Sequence, residues 1–223
     1  MRSRRYGERD VLVDVTSSRV AQVWGAELRE IDGVIDVVPA ARSLLVRCVD
    51  AATARTLARD LAHATEPAAT GPAGTGQAGT GRTVTIAVVY DGEDLTAVAR
   101  TLGMTRQEVI DRHTGATYRA AFAGFAPGFV YLEGLDPALE TARRAQPRTR
   151  VPAGSVAIAA AMTAVYPRSS PGGWNLLGRT SALMFDLDRE RPALVEPGDT
   201  VRFEAVTEAV TEAANELEPE AER

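Results

Sequence analysis

Between residues 66 and 82 the chain reads EPAATGPAGTGQAGTGR, a run without a single large apolar side chain. Gly/Ala/Thr composition of this kind is that of a connector, because it has too little to bury to offset the entropy of ordering it. The run predicts two folding units, an N-terminal one within residues 1–82 and a longer one over 83–206, followed by an acidic tail at 207–223. A literal G-x-G-x-x-G falls inside the connector, at Gly74, Gly76 and Gly79. A phosphate loop needs a strand before it and a helix N-terminus behind it to aim backbone N–H groups. The pattern offers neither here, so the glycines are read as linker.

The N-terminal part alternates periodicities. Residues 10–15, DVLVDV, alternate apolar and polar as a half-buried strand does. Val20, Val23, Trp24 and Leu28 then recur at helical spacing, and Gly33 ends that segment. VIDVVP (34–39) and SLLVRCV (43–49) read as strands. Asp50 is placed to cap a second helix that carries Leu57 and Leu61 on one face. With TVTIAVVY (83–90) as a last strand, the order β-α-β-β-α-β is ferredoxin-like in kind. Cys48 reads as a small buried hydrophobe, and His63 as an exposed residue ahead of the linker.

Two short helices follow, over 94–102 and 105–114. Gly103 breaks the first, and a T-x-x-E capping box, Thr105 with Glu108, opens the second. From Tyr118 onward, short apolar runs are punctuated by Pro127-Gly128, Pro171-Gly172 and Pro197-Gly198, each read as a type II turn. VAIAAAM, SALMFDL and TVRFEAV read as strands, and their spacing predicts a β-barrel or sandwich. The fold class expected is α+β.

All 25 basic residues are arginine, a lysine deficit read as base composition. It removes the usual P-loop and Schiff-base residue. Six of the 30 acidic residues lie in the tail, leaving a body with 24 charges of each sign. A neutral body gives no reason to expect nucleic acid as a partner. No apolar run is long enough for a membrane span, and no apolar segment follows the basic start, so neither a membrane nor a signal peptide is expected. One cysteine fits a reducing compartment, and hence a cytoplasmic location. Two histidines and one cysteine, scattered, make no metal site.

Three segments have residue types that mere connection does not need. GFAPGFVYL (124–132) sets Phe125, Pro127, Gly128 and Phe129 as a rigid apolar wall. PRTRVPAGSV (147–156) flanks a tight turn at Pro152, Gly154 and Ser155 with Arg148 and Arg150. The third, 165–180, combines Tyr166, Ser170, Gly172, Gly173, Trp174, Arg179 and Thr180. Arginine with backbone N–H groups from glycine turns is a natural cradle for carboxylate or phosphate. Trp174 and Phe129 could stack on a small planar ligand. His113, at a helix C-terminus, is stabilised there by the dipole.

Taken in order, His113, Tyr118, GFAPGFVYL, PR..VPAGSV, YP..SPGGWNLLGRT and PGDTVRF resemble the family of allophanate hydrolase subunit 1, KipI and the B-type subunit of 5-oxoprolinase (carboxyltransferase subdomains C and D). The likeness runs from about Asp10 to Val206. The chain has Val130 where the family pattern has proline, and Met162, Thr163 and Ala164 where it has Gln-Thr-Gly. The resemblance implies an N-terminal α+β domain followed by a cyclophilin-like β-barrel. It implies a small subunit of an ATP-dependent 5-oxoprolinase, opening the 5-oxo-L-proline lactam to L-glutamate. Its partners would be a large subunit of the family of KipA, allophanate hydrolase subunit 2 and the C-type subunit of 5-oxoprolinase, and a LamB/YcsF-family protein as the A-type subunit. ATP would be bound with or by the partner. Arg148, Arg150 and Arg179 are the candidates to meet phosphate and carboxylate charge, and His113 for proton transfer. Two other readings are implied: a KipI-like inhibitor of a sensor histidine kinase, and a carboxyltransferase module of the urea carboxylase type.

Overall fold

The computed structural model of the protein describes residues 2–68 and 81–207. The glycine motif at 74–79, most of the connector and nearly all of the acidic tail lie outside the described residues. The chain divides into two compact units, Met1–Gly81 with Ala121–Ala123, and Arg82–Ala120 with Gly124–Arg223.

The first unit is a four-stranded antiparallel sheet with two helices. Its elements are β1 (Arg2–Tyr6), β2 (Asp10–Asp14), α1 (Ser18–Arg29), β3 (Val34–Pro39), β4 (Ser43–Cys48) and α2 (Ala51–His63), with sheet order β1-β2-β4-β3. Alternation does what it predicts. Val11 and Val13 of β2, and Leu44, Val46 and Cys48 of β4, are wholly buried, while Leu12 and Leu45 between them are half-exposed. Both helices pack on the sheet, bringing Val20, Ala21, Trp24 and Leu28 from α1 and Ala54, Leu57 and Leu61 from α2. Each such Val or Leu contributes roughly 1.5–3 kcal/mol. Ser17 caps α1 by accepting from the Val20 N–H at 3.2 Å, and Asp50 caps α2 by accepting from Thr53 at 2.8 Å.

One expectation is corrected here. The strand at 83–88 does not complete this sheet; the place beside β2 is taken by β1, in register from Arg2↔Asp14 to Tyr6↔Asp10. An edge strand needs no apolar face and tolerates charge, so Arg4 and Arg5 hid it from a hydrophobicity reading.

In the second unit, β5 (Thr83–Val88), α3 (Leu95–Leu102), α4 (Arg106–Gly115), β6 (Tyr118–Ala123) and β7 (Val130–Glu133) lead to a 3-10 turn, Pro137–Leu139. Then come β8 (Arg148–Val151), β9 (Ser155–Ala159), β10 (Met162–Val165), β11 (Ser170–Gly172), β12 (Asn175–Arg179) and β13 (Thr200–Ala205). Seven strands run in the order β12-β9-β10-β7-β6-β13-β5. β5 pairs in parallel with β13 from Thr83↔Thr200 to Val88↔Ala205. The chain just after β5 then returns to β12. Val89 and Arg179 exchange backbone bonds of 2.9 Å, and the Gly92 N–H donates to Leu177 at 3.0 Å. The sheet is thereby a nearly closed barrel around Ile86, Leu95, Val109, Tyr118, Leu139, Ile158 and Leu177. β8 and β11 form a separate ribbon. The Thr105–Glu108 capping box is present on α4, with bonds of 3.2 and 2.7 Å.

Three sequence expectations change in this unit. VAIAAAM is not one strand but the hairpin β9–β10, turned at Ala160, whose φ is +50°. SALMFDL forms no strand; only Phe185 makes an isolated bridge, to Ala193. Pro171-Gly172 is not a turn but lies in β11 opposite β8. Pro127-Gly128 and Pro197-Gly198 are turns, with φ of +79° and +101° at the glycines and closing bonds of 2.9 Å (Phe129 to Ala126) and 3.0 Å (Asp199 to Glu196).

Candidate functional site

The first and third candidate segments meet in one recess of the second unit. Phe125, Phe129, Tyr131, Arg143, Tyr166 and Trp174 line it with Pro171, Gly172 and Gly173, around a volume of about 120 Å³. β7 delivers Tyr131, and Phe129, just before β7, forms the buried hub. Phe129 is met edge-on by Phe125 at 5.2 Å, Tyr131 at 5.0 Å, Tyr166 at 5.3 Å and Trp174 at 5.9 Å. Edge-to-face contacts of this kind satisfy the ring quadrupoles and fix each ring against the next. Phe125 differs from the rest. It is 59% exposed and its φ is +68°, a left-handed conformation that a bulky side chain rarely adopts. The Ala126–Phe129 turn and the Gly124 N–H, which donates to Phe129 at 3.1 Å, hold it there.

Gly172 is required by close approach. A Cβ on it would overlap the Tyr166 hydroxyl, and that ring is 2% exposed. Burial pushes the Tyr166 hydroxyl above its ordinary pKa, against the opposing pull of the Trp174 backbone N–H and of Arg143 and Arg148. It stays protonated.

The rim of the recess was not visible in the sequence. The Arg143 guanidinium lies 6.0 Å from the centre of the Trp174 ring. Its backbone is tied on both sides to the residues flanking Trp174: the Arg144 N–H donates to the Gly173 carbonyl at 2.8 Å, and the Asn175 amide donates to the Ala142 carbonyl at 2.9 Å. Nothing in TARRAQPR distinguishes Arg143 from Arg144. Yet Arg144 turns the other way, to a 2.5 Å ion pair with Asp94.

Asp94 is a hub of its own. It precedes α3 and is almost wholly buried. Arg148 binds both its oxygens at 2.9 Å, and the Leu176 N–H donates to it at 2.8 Å. Burial alone would raise its pKa. The Arg148 bonds, the Leu176 N–H and the Arg148 and Arg144 charges outweigh that and hold the carboxyl below its usual value. Arg148 also reaches Glu93 at 3.0 Å. It sits in an ion-pair network rather than at the recess. Arg150 donates to the Ser169 hydroxyl at 3.1 Å, and Arg179 pairs with Asp91 at 2.7 Å while remaining about half-exposed.

The remaining candidates are dispersed. Gly154, Ser155 and Thr180 form a backbone knot: the Thr180 N–H donates to Gly154 at 2.9 Å, and the Ser155 hydroxyl donates to the Pro152 carbonyl at 2.8 Å. Ser170 lies in β11 with its hydroxyl on the Arg168 carbonyl at 3.3 Å. Pro127 lines a second recess with Pro167, Arg168 and Phe185, and Gly128 packs against Met184 and Phe185. His113 is no surface residue at a helix end. It is wholly buried, 2.7 Å from the Tyr90 hydroxyl, 2.9 Å from the Thr163 hydroxyl and 4.7 Å, ring to ring, from Phe203. Burial lowers its pKa to about 3, so it is neutral and serves the core. His63 is exposed and Cys48 is buried. Among the described residues no cluster of His, Cys, Asp and Glu is placed to hold a metal, and no helix is long and apolar enough to cross a membrane.

A family described as carboxyltransferase domain, subdomain C and D, matches residues 1–195. The B-type subunit of 5-oxoprolinase from Escherichia coli O157:H7 is 47% identical over 132 residues, which is 58% of this chain and 61% of that protein. The chain thus spans about six tenths of the length of that curated relative. The crystal structure of TTHA0988 is 37% identical with a TM-score of 0.72, covering 89% of this chain and 40% of that one. Kluyveromyces lactis urea carboxylase is 20% identical with a TM-score of 0.67, covering 95% of this chain and 22% of that one, a likeness of fold.

Proposed function

Because the chain belongs to the carboxyltransferase subdomain C and D family, we propose that it is the small subunit of an ATP-dependent 5-oxoprolinase complex, opening the 5-oxo-L-proline lactam to L-glutamate. The likeness to the B-type subunit of 5-oxoprolinase carries this reading. In this reading the first unit is ferredoxin-like in kind, with β1 standing in for its last strand, and the second is a cyclophilin-like barrel.

The chemistry needs ATP because the lactam is an unactivated amide. The lactam carbonyl oxygen attacks the γ-phosphorus, a C–O–P linkage forms and ADP leaves. Water then adds to the activated carbon and the ring C–N bond opens, the nitrogen leaving with a proton, which gives an acyl phosphate; a second water attacks that carbonyl, phosphate departs and the carboxylate of glutamate remains. Positive charge must meet the transferring phosphoryl group. Arg179, half-exposed on β12, is the candidate for that contact. Arg148 is a positioning residue that fixes Asp94 and, through it, β12. His113 has a structural role in place of proton transfer. The ATP site lies with or on the large partner subunit of the KipA type, and a LamB/YcsF-type subunit completes the complex. A partner is in keeping with the name of the relative, one subunit of 5-oxoprolinase.

Co-expression with those two subunits, followed by assay of ATP-dependent glutamate release from 5-oxoproline, tests the reading. Release is expected. A correctly assembled complex that releases none, yet moves carboxylate between biotin and a urea-type acceptor, would replace it with the carboxyltransferase reading.

A further inference from the structure

The recess is built from rings, and aromatic cages ordinarily attract cations. Arg143 inverts that preference. Its guanidinium stands at the rim, exposed, and among the described residues it makes no ion pair or hydrogen bond. Its neighbours Arg144 and Arg148 are paired. At 6.0 Å from the centre of the Trp174 ring the guanidinium meets no acceptor among the described residues, so its N–H donors are free, and a guanidinium fork can grip a carboxylate with two parallel bonds.

We infer that this recess is a binding site for a small ring-bearing carboxylate, with Arg143 as its anchoring cation and the Trp174 and Phe129 rings as its walls. Size points the same way. A volume of about 120 Å³ is well below the several hundred Å³ that drug-sized ligands occupy. That is the size of one small ring rather than of a nucleotide. The anchor is also pre-set. The two bonds from Arg144 to Gly173 and from Asn175 to Ala142 clamp the Arg143 backbone beside Trp174, so little backbone freedom remains to be lost on binding. Tyr166, whose hydroxyl lies against Gly172, is a further wall of the same recess. The inference rests on the proposed function only for the identity of the carboxylate, which would be that of 5-oxoproline.

The test is calorimetric titration of the full chain with 5-oxo-L-proline, its uncharged carboxamide, pyrrole-2-carboxylate and tetramethylammonium, with fluorescence followed in parallel. Saturable binding of a carboxylate is expected, with quenching of tryptophan emission. The carboxamide should bind at least about tenfold more weakly, since it lacks the charge-assisted pair. Arg143→Ala should lose the same factor and Arg143→Lys recover part of it. Equal binding of acid and amide, unchanged affinity in Arg143→Ala, preference for tetramethylammonium, or no binding of either carboxylate each overturns the site. Arg143-dependent binding of pyrrole-2-carboxylate without 5-oxoproline keeps the site and removes 5-oxoproline as its ligand. Conversely, if the assembled complex turns over 5-oxoproline with a KM that Arg143→Ala leaves unchanged, the site falls while the proposed function stands.

Discussion

Arg148 grips Asp94 with two parallel bonds of 2.9 Å, and the same carboxylate accepts the backbone N–H of Leu176 at 2.8 Å. One side chain therefore ties the start of α3, the β8 ribbon and barrel strand β12 together. Asp94→Ala would leave that N–H and the Arg144 guanidinium without their acceptor and Arg148 with Glu93 alone. A cost of about 3–5 kcal/mol is expected, read as a fall in the urea midpoint. Arg148→Ala should cost less, about 1–2 kcal/mol, because Arg144 still reaches Asp94.

His113 makes stability depend on pH in a defined direction. Its folded pKa of about 3 lies below its ordinary value of 6.5, so the unfolded chain binds the proton more readily. Its contribution is whole above pH 6.5 and is lost as pH falls toward 3. At pH 5 the loss is about 2 kcal/mol. The stability lost between pH 7.5 and pH 5, read from urea titrations, should be larger in the native chain than in His113→Gln by about that amount; equal losses would remove His113 as the linked group.

Gly172→Ala should push the Tyr166 ring from its place. The barrel should persist, because its core lies elsewhere, while the recess loses a wall. Far-UV circular dichroism should hardly move, and near-UV signals from the rings should change. A destabilisation of about 1–3 kcal/mol is expected.

Phe125→Gly carries the opposite sign. The residue holds a left-handed φ of +68° and is 59% exposed, so strain of about 1–3 kcal/mol is relieved at small loss of burial. The midpoint should rise or hold, while ligand affinity falls with the lost ring. A protein that keeps a strained, exposed aromatic at the mouth of a recess does so for what the ring touches there.

Sequence patterning found the elements whose signals are local. The Asp50 cap and the Thr105–Glu108 box are read from residues three apart, and the buried faces of β2 and β4 from alternation. It missed elements set by long-range pairing. β1 is charged because it is an edge, β9 and β10 are divided by an Ala160 turn that no glycine or proline announces, and 181–187 is apolar yet pairs only through a single bridge at Phe185. The site divides in the same way. Phe125, Phe129, Tyr166, Gly172, Gly173 and Trp174 were legible as unusual types and do meet. Arg143 was not, because only the fold decides which of two adjacent arginines turns toward Asp94 and which lies over Trp174. Arg148 stands out in the sequence by its charge, and the buried carboxylate that takes up that charge is 54 residues away.

The parallel pairing of β5 with β13 joins residues 83–88 to 200–205, with β13 lying between β5 and β6. During synthesis, β5 and β6 emerge long before the strand that separates them. Until residue 205 has left the ribosome, two apolar strands stand with open edges, and such edges recruit other chains. Closure of this barrel is a late event by topology, so a ribosome stall or a proteolytic cut ahead of Thr200 yields a sticky, unclosed species rather than a slightly shortened barrel.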